Sequence, residues 1–292
     1  MCYNTIIRTE NKSEGAKQMI SKKIGKNHIR KFDSITDMYS YYTKQPVQEH
    51  YKGRQQSITN PRSFTETDSF EEAEDLLLHG WDYMAQTLKQ KLDVKNTEKT
   101  YKQKTVYDVQ GFQACVPRYL QGVPENMIRT KKFETKTKVI TINKSISYHC
   151  GIKTSTIIDE SVKVLHLIQS LERQGYKVNL NIVFCVLDKS NVSKARQNFI
   201  FVNIKQASQR LNIKQTAFPL VNPSMLRRII LRIMEVSEEY YNTSNFVHMY
   251  GFQLNECYLF NKAVKEELKG QYYIPNIVSE KEITNIEKYL IK

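Results

Sequence analysis

The sequence predicts an α/β protein: a mixed, mostly parallel sheet flanked by helices, with a smaller helical and extended N-terminal region. Three observations carry this. From Lys138 onward, β-branched stretches alternate with segments of helical period over short connections. Apolar residues make up 40% and charged residues 25% of the 292, the balance of a chain that buries a core. The longest uninterrupted apolar run, Ile182 to Leu187, stops far short of the ~20 residues that cross a bilayer, so no membrane association is expected.

Residues 1–62 are polar, basic and rich in tyrosine, and read as a basic polar arm containing one short helix, Ile35 to Tyr42, ahead of Pro46. Residues 63–130 form the helical and extended region. Ser69 and Glu72 have capping-box spacing, and the helix they start breaks at His79-Gly80. Between 105 and 130, β-like stretches are interrupted by Pro117, Gly122 and Pro124, which suits an extended segment crossing a sheet edge or building a binding loop. The α/β domain spans 131–292. Its elements are a strand in KVITINKSISY, a helix over 154–174 stopped by Gly175, strands over 177–187 and 198–205, and a helix begun by Asn222-Pro223. A strand near 245–252 and a charged helix near 280–291 complete it.

Charge points to the partner. The net charge is +14, and between Asp188 and Glu235 there is no acid at all. That block carries Lys205, Arg210, Lys214, Arg227, Arg228 and Arg232, a pattern that suits phosphates. The bland alternative is that it neutralises an acidic surface, such as the base-free segment 65–82 of this chain. The start of the 222 helix, with its free N–H groups and arginines, is an anion-site candidate; the same arginines are equally able to pair with Glu235, Glu238 or the acids of 66–75.

The first strand of the α/β part ends in Asn143-Lys144-Ser145-Ile146-Ser147. This resembles the acid-x-Ser-x-Ser strand end of von Willebrand factor A-type domains, where oxygen ligands help hold a divalent metal. The order strand, helix, glycine, strand, antiparallel strand over 138–206 is similar too. The resemblance implies an edge built from Asn143, Ser145, Ser147 and, further on, Thr216, with Mg²⁺ as the ion to consider. Asn143 stands where the family has an acid, and Lys144 beside it opposes a cation, so neither a metal nor another cofactor is expected. Bacterial and phage A-type domains often accompany AAA+ ATPases, which makes such an ATPase the implied protein partner. The blocks SFEEAEDLLLHGWD, VPRYLQGVPENMI and AFPLVNPSMLRRIILR, with KVITINKSISY, resemble a family of bacteriophages and prophages of low-GC Gram-positive bacteria, implying phage origin.

Catalysis has no candidate. His149 and Cys150 are neighbours and point to opposite strand faces, His166 sits among apolar helix positions, and no paired carboxylates converge. Five widely spaced cysteines without a CxxC pair read as free thiols of a reducing cytoplasm, with carriage in a virion left open. The expected function is therefore a non-catalytic module docking a protein partner, the alternative being a DNA- or RNA-binding protein that uses the block 189–234.

Overall fold

The computed structural model describes residues 19–92, 103–132, 138–148, 152–188, 191, 195–241, 252–254, 259–276 and 289–291. Two strands open it, β1 (Ile20–Ile24) and β2 (Asn27–Phe32), an antiparallel hairpin turned at Gly25, whose φ of +59° favours glycine. Helix α1 (Ile35–Lys44) follows, capped by Ser34 through the Asp37 N–H. The Ser69 cap accepts from the Glu72 N–H at 3.1 Å and starts α2 (Phe70–His79). Gly80 then breaks the helix before α3 (Asp82–Lys91): its φ is +84°, and a Cβ there would sit 2.7 Å from Cγ of Lys214.

Next come β3 (Gln103–Asp108), β4 (Gln113–Ala114), the short helix α4 (Val116–Leu120) and β5 (Met127–Lys132). The α/β part contains β6 (Val139–Ser145), α5 (Thr154–Arg173), β7 (Lys177–Leu187), β8 (Gln197–Lys205) and α6 (Ile213–Val221). A π-wound turn over Met225–Ile230 runs into α7 (Leu231–Val236). Strand β9 (Phe252–Gln253), α8 (Lys262–Glu267) and β10 (Tyr272–Ile274) end the series.

The main sheet has the order β1-β2-β8-β7-β6-β10, with β9 on the end of β7. Three pairings are parallel (β2–β8, β6–β7, β6–β10) and three antiparallel (β1–β2, β7–β8, β7–β9), so the sheet is mixed without being mostly parallel. Its two faces bury different cores. Ile140, Ile142, Leu180, Ile182, Ile200 and Val202 meet helices α1 to α3 and α5 to α7 on one side. Val183, Cys185, Phe199 and Phe201 meet Phe260, Val264, Leu268 and Tyr273 on the other.

Residues 20–32 are not an arm. They add two strands to the sheet, with Ile29 and Phe32 in its cores and Lys22 and Lys31 paired to Glu267 of α8. The interleaved bases of NHIRKF hide a strand whose Arg30 is buried against Glu239 and stacked 4.3 Å from the Tyr41 ring centre. Residues 103–132 do not cross the main sheet either. Among the described residues they pair only with one another, as a sheet of order β3-β5-β4. Of the strand expected near 245–252 only its last residue falls in β9, and residues 242–251 lie outside the described ones. The same holds for most of the terminal helix, of which 289–291 are described, with Leu290 bridging Tyr272.

Between α1 and α2 run two single-turn helices, Gln56–Thr59 and Arg62–Thr65, too short to satisfy their own last carbonyls, and each of those needs a donor. Arg228 supplies them. Fully buried, it donates from Nε to Thr67 Oγ1 (2.8 Å) and from Nη1 to the Ser57 and Ile58 carbonyls (3.0 and 3.2 Å). Its Nη2 reaches the Asn60 and Thr67 carbonyls (both 3.0 Å) and Thr65 Oγ1 (3.1 Å). Arg227 donates to the Phe64 carbonyl and stacks on its ring, while buried Glu235 accepts from the Ser57 N–H and hydroxyl. Arg228→Met should cost at least about 3 kcal/mol in guanidinium unfolding, because several buried carbonyls lose their donor together. Arg228→Lys should rescue little, since an ammonium lacks the planar fork. A loss below about 1 kcal/mol would refute this role.

Candidate functional site

The carboxyl ends of the parallel neighbours β6 and β10 lie side by side, and from its own end β6 leads through α5 to β7 on its other flank. Such a point is where open α/β sheets place ligands. Here it holds a lysine. β6 alternates, so Ile140, Ile142, Lys144 and Ile146 face the helices while Asn143, Ser145 and Ser147 face the second core. Lys144 is 1% exposed. Its ammonium donates to Glu160 Oε2 of α5 at 3.2 Å, to the Pro275 carbonyl at 3.1 Å and to Asn276 Oδ1 at 3.0 Å, the last two just beyond β10. Tyr148 lies 5.5 Å away, ring to ammonium.

Burial lowers the Lys144 pKa and the Glu160 carboxylate opposes that. Burial and the same carboxylate push the Tyr148 phenol far above its usual range. One ammonium thus ties three segments together through three oxygens, as a small metal ion would, and it does so out of water.

Asn143, Ser145 and Ser147 come together on the opposite face without forming a metal site. Asn143 donates to Gln271 Oε1 at 3.0 Å and accepts from Asn181 Nδ2 at 2.9 Å, and Asn181 accepts from Asn203 Nδ2 at 2.9 Å. This amide ladder crosses three strands and takes up the oxygen a cation would need. Ser145 Oγ accepts from the Ser147 N–H at 3.3 Å, and both serines are buried. Thr216 is not brought to them: it lies in α6, over the other face, with its hydroxyl on the Asn212 carbonyl. The residues present therefore do not fit a divalent cation.

The expected polyanion residues are scattered and mostly engaged. Lys205 is buried, 2.6 Å from Glu172 and 2.9 Å from the Val178 carbonyl. Arg227 and Arg228 hold the 57–67 segment. Lys214 pairs with Asp82 at 2.7 Å, and Arg232 lies 3.6 Å from Glu235. Of the six, only Arg210 is classed as exposed, at a turn. The anion-site candidate at residue 222 is filled by the chain itself: Ser224 Oγ donates to the Thr65 carbonyl and contacts Thr67 Oγ1, both at 2.6 Å. An acid-free block reads as a polyanion surface when carboxylates are the only partners considered. Arg227 and Arg228 instead meet main-chain carbonyls, which sequence charge does not display, while Lys205, Lys214 and Arg232 pair with carboxylates outside the block.

A second polar cluster escapes the sequence reading because its parts are 200 residues apart. Ser21 Oγ is 2.9 Å from His28 Nε2, and His28 Nδ1 is 3.5 Å from Glu239, whose carboxylate also binds Arg30. Burial lowers the His28 pKa more than Glu239 raises it, which favours the neutral ring. Arg30 already claims the carboxylate, and the arrangement serves to anchor the edge hairpin.

These features define a mixed α/β sheet protein with a lysine-locked strand end. The chain belongs to the DUF7192 family, a domain of unknown function whose model matches residues 8–292. No curated protein and no solved structure matches it.

Two outcomes follow. Lys144→Met should destabilise the protein by roughly 3–5 kcal/mol, with Lys144→Met/Glu160→Leu recovering much of it in urea unfolding, because the single change leaves a buried carboxylate unpaired. For His28, a folded pKa below the unfolded 6.5 means the unfolded chain takes the proton first. Stability should therefore fall as pH drops from 6.5 toward 5, and fall less in His28→Gln, as read by thermal melts.

Proposed function

We propose that this protein is a non-catalytic interaction module that docks a protein partner. The observation that carries this reading is the Lys144 cluster: the place where such a sheet would bind a ligand is filled by the chain's own ammonium, with all three oxygens supplied internally. A scaffold sealed at that point acts through its surface. The order β8-β7-β6-β10, with β8 antiparallel and α5 between β6 and β7, supports an A-type likeness at the level of topology. β2 covers the outer side of β8, a departure from that pattern. On this reading the protein is phage-encoded, acts in the host cytoplasm, and has an AAA+ ATPase as its implied partner. Among the described residues no helix is long and apolar enough to cross a membrane.

Nucleic-acid binding through 189–234 is the weaker reading, because most of its described bases are spent on the fold. Fluorescence anisotropy with single- and double-stranded DNA and RNA should show no tight binding at about 50 mM salt. Affinity that is tight there and collapses at about 200 mM would favour nucleic acid instead. Binding to an AAA+ ATPase from the same genome, read by biolayer interferometry, should persist in EDTA. Loss on chelation would mean that a metal holds the interface, contrary to the lysine-sealed reading.

A further inference from the structure

The Lys144 cluster brings an amine, a side-chain amide and a carboxyl group together out of water. Lys144, Glu160 and Asn276 are 1%, 5% and 7% exposed. The ammonium donates to Asn276 Oδ1 at 3.0 Å and to Glu160 Oε2 at 3.2 Å, and the Tyr148 ring lies 5.5 Å from it. Burial already lowers the Lys144 pKa, and passing its proton to Glu160 leaves two neutral groups where charge is costly. That transfer produces a neutral amine beside an amide carbonyl, with a carboxylic acid able to protonate a departing nitrogen. These are the parts of an acyl transfer. Among the described residues the other buried lysine, Lys205, meets Glu172 and main-chain carbonyls instead of a side-chain amide.

We infer that Lys144 and Asn276 are the two ends of a latent intramolecular isopeptide bond, closed with Glu160 as proton carrier. The Lys144 proton passes to Glu160, and the freed Nζ lone pair attacks Cγ of Asn276 while the carbonyl electrons move onto Oδ1. Glu160 hands its proton to Nδ2 and takes another from the attacking nitrogen. The carbonyl re-forms as the Cγ–Nδ2 bond breaks, which releases ammonia and leaves Glu160 protonated. The Pro275 carbonyl, 3.1 Å away, offers no such exit, because its amine stays tethered to the chain and re-forms the peptide bond. Burial also keeps out the water that would otherwise hydrolyse the intermediate. The structure holds the state before the step, with Nζ donating to Oδ1 and Glu160 favouring the proton on Lys144. Closure waits on that proton and on the amide turning its carbon to Nζ, so freshly folded protein carries the ammonium. The bond would join β6 to the chain leaving β10 across 132 residues, and it stands apart from the docking reading.

The test is intact-mass spectrometry of the folded full chain over about a week at about 37 °C, time enough for groups held in contact to react. The wild type should lose one ammonia, about 17 Da. Trypsin should then release residues 139–153 joined to residues 270–281. Asn276→Asp should give the same linked pair with loss of water, about 18 Da, which keeps the test valid if other variants fold poorly. Glu160→Gln should slow closure at least about a hundredfold. Lys144→Arg and Asn276→Ala should not close, with circular dichroism checking each fold. A wild type that keeps its full mass overturns the inference. So does a loss of ammonia without the linked peptides, which marks succinimide formation at another asparagine, and so does closure undiminished in Glu160→Gln.

Discussion

The Lys144 ammonium, removed from water at the end of β6, is the constraint around which the sheet's carboxyl edge is arranged. A buried cation is costly unless every proton has an acceptor. Glu160, the Pro275 carbonyl and Asn276 are those acceptors, and they come from α5 and from the chain leaving β10. The helix that covers the sheet and the strand that closes it are thereby registered against β6. Arg228 does the same for the single-turn helices between α1 and α2, and Lys205 does it where β8 ends, through Glu172 and the Val178 carbonyl. The formal charge of +14 thus overstates what the surface carries.

Elements with strong local signals were legible. Ser69 caps its helix, Gly80 breaks it, and β7 runs from Lys177 to Leu187 as its alternation and apolar run predict. β2 was not legible, because half of NHIRKF is basic and its burial depends on Tyr41 and Glu239, which only tertiary structure delivers. α6 was not legible either: it contains Pro219, and its Ala217, Phe218 and Leu220 are buried through contacts that are remote in sequence.

The site divides along the same line. The segment Asn143 to Ser147 stood out by its residue types, and it occupies the carboxyl end of a strand paired in parallel on both sides. Lys144 is legible there as an obstacle to a cation; that it takes the cation's place depends on Glu160 and Asn276, sixteen and 132 residues away. The basic block misleads for a related reason. Sequence charge counts carboxylates and is blind to carbonyls, yet carbonyls are what Arg227 and Arg228 mainly bind. Exposed apolar residues of 107–120 carry the opposite lesson: local pattern made strands, and nothing local covers them.

The account rests most directly on Lys144 being a charged, sealed ammonium in the folded protein. Nitrogen-15 NMR of the lysine Nζ groups at pH 7 reads this state. The account predicts one protonated resonance in slow exchange with water, close to Glu160 and unmoved by added Mg²⁺. A neutral amine at that position, rapid exchange, or a shift on adding Mg²⁺ would contradict it.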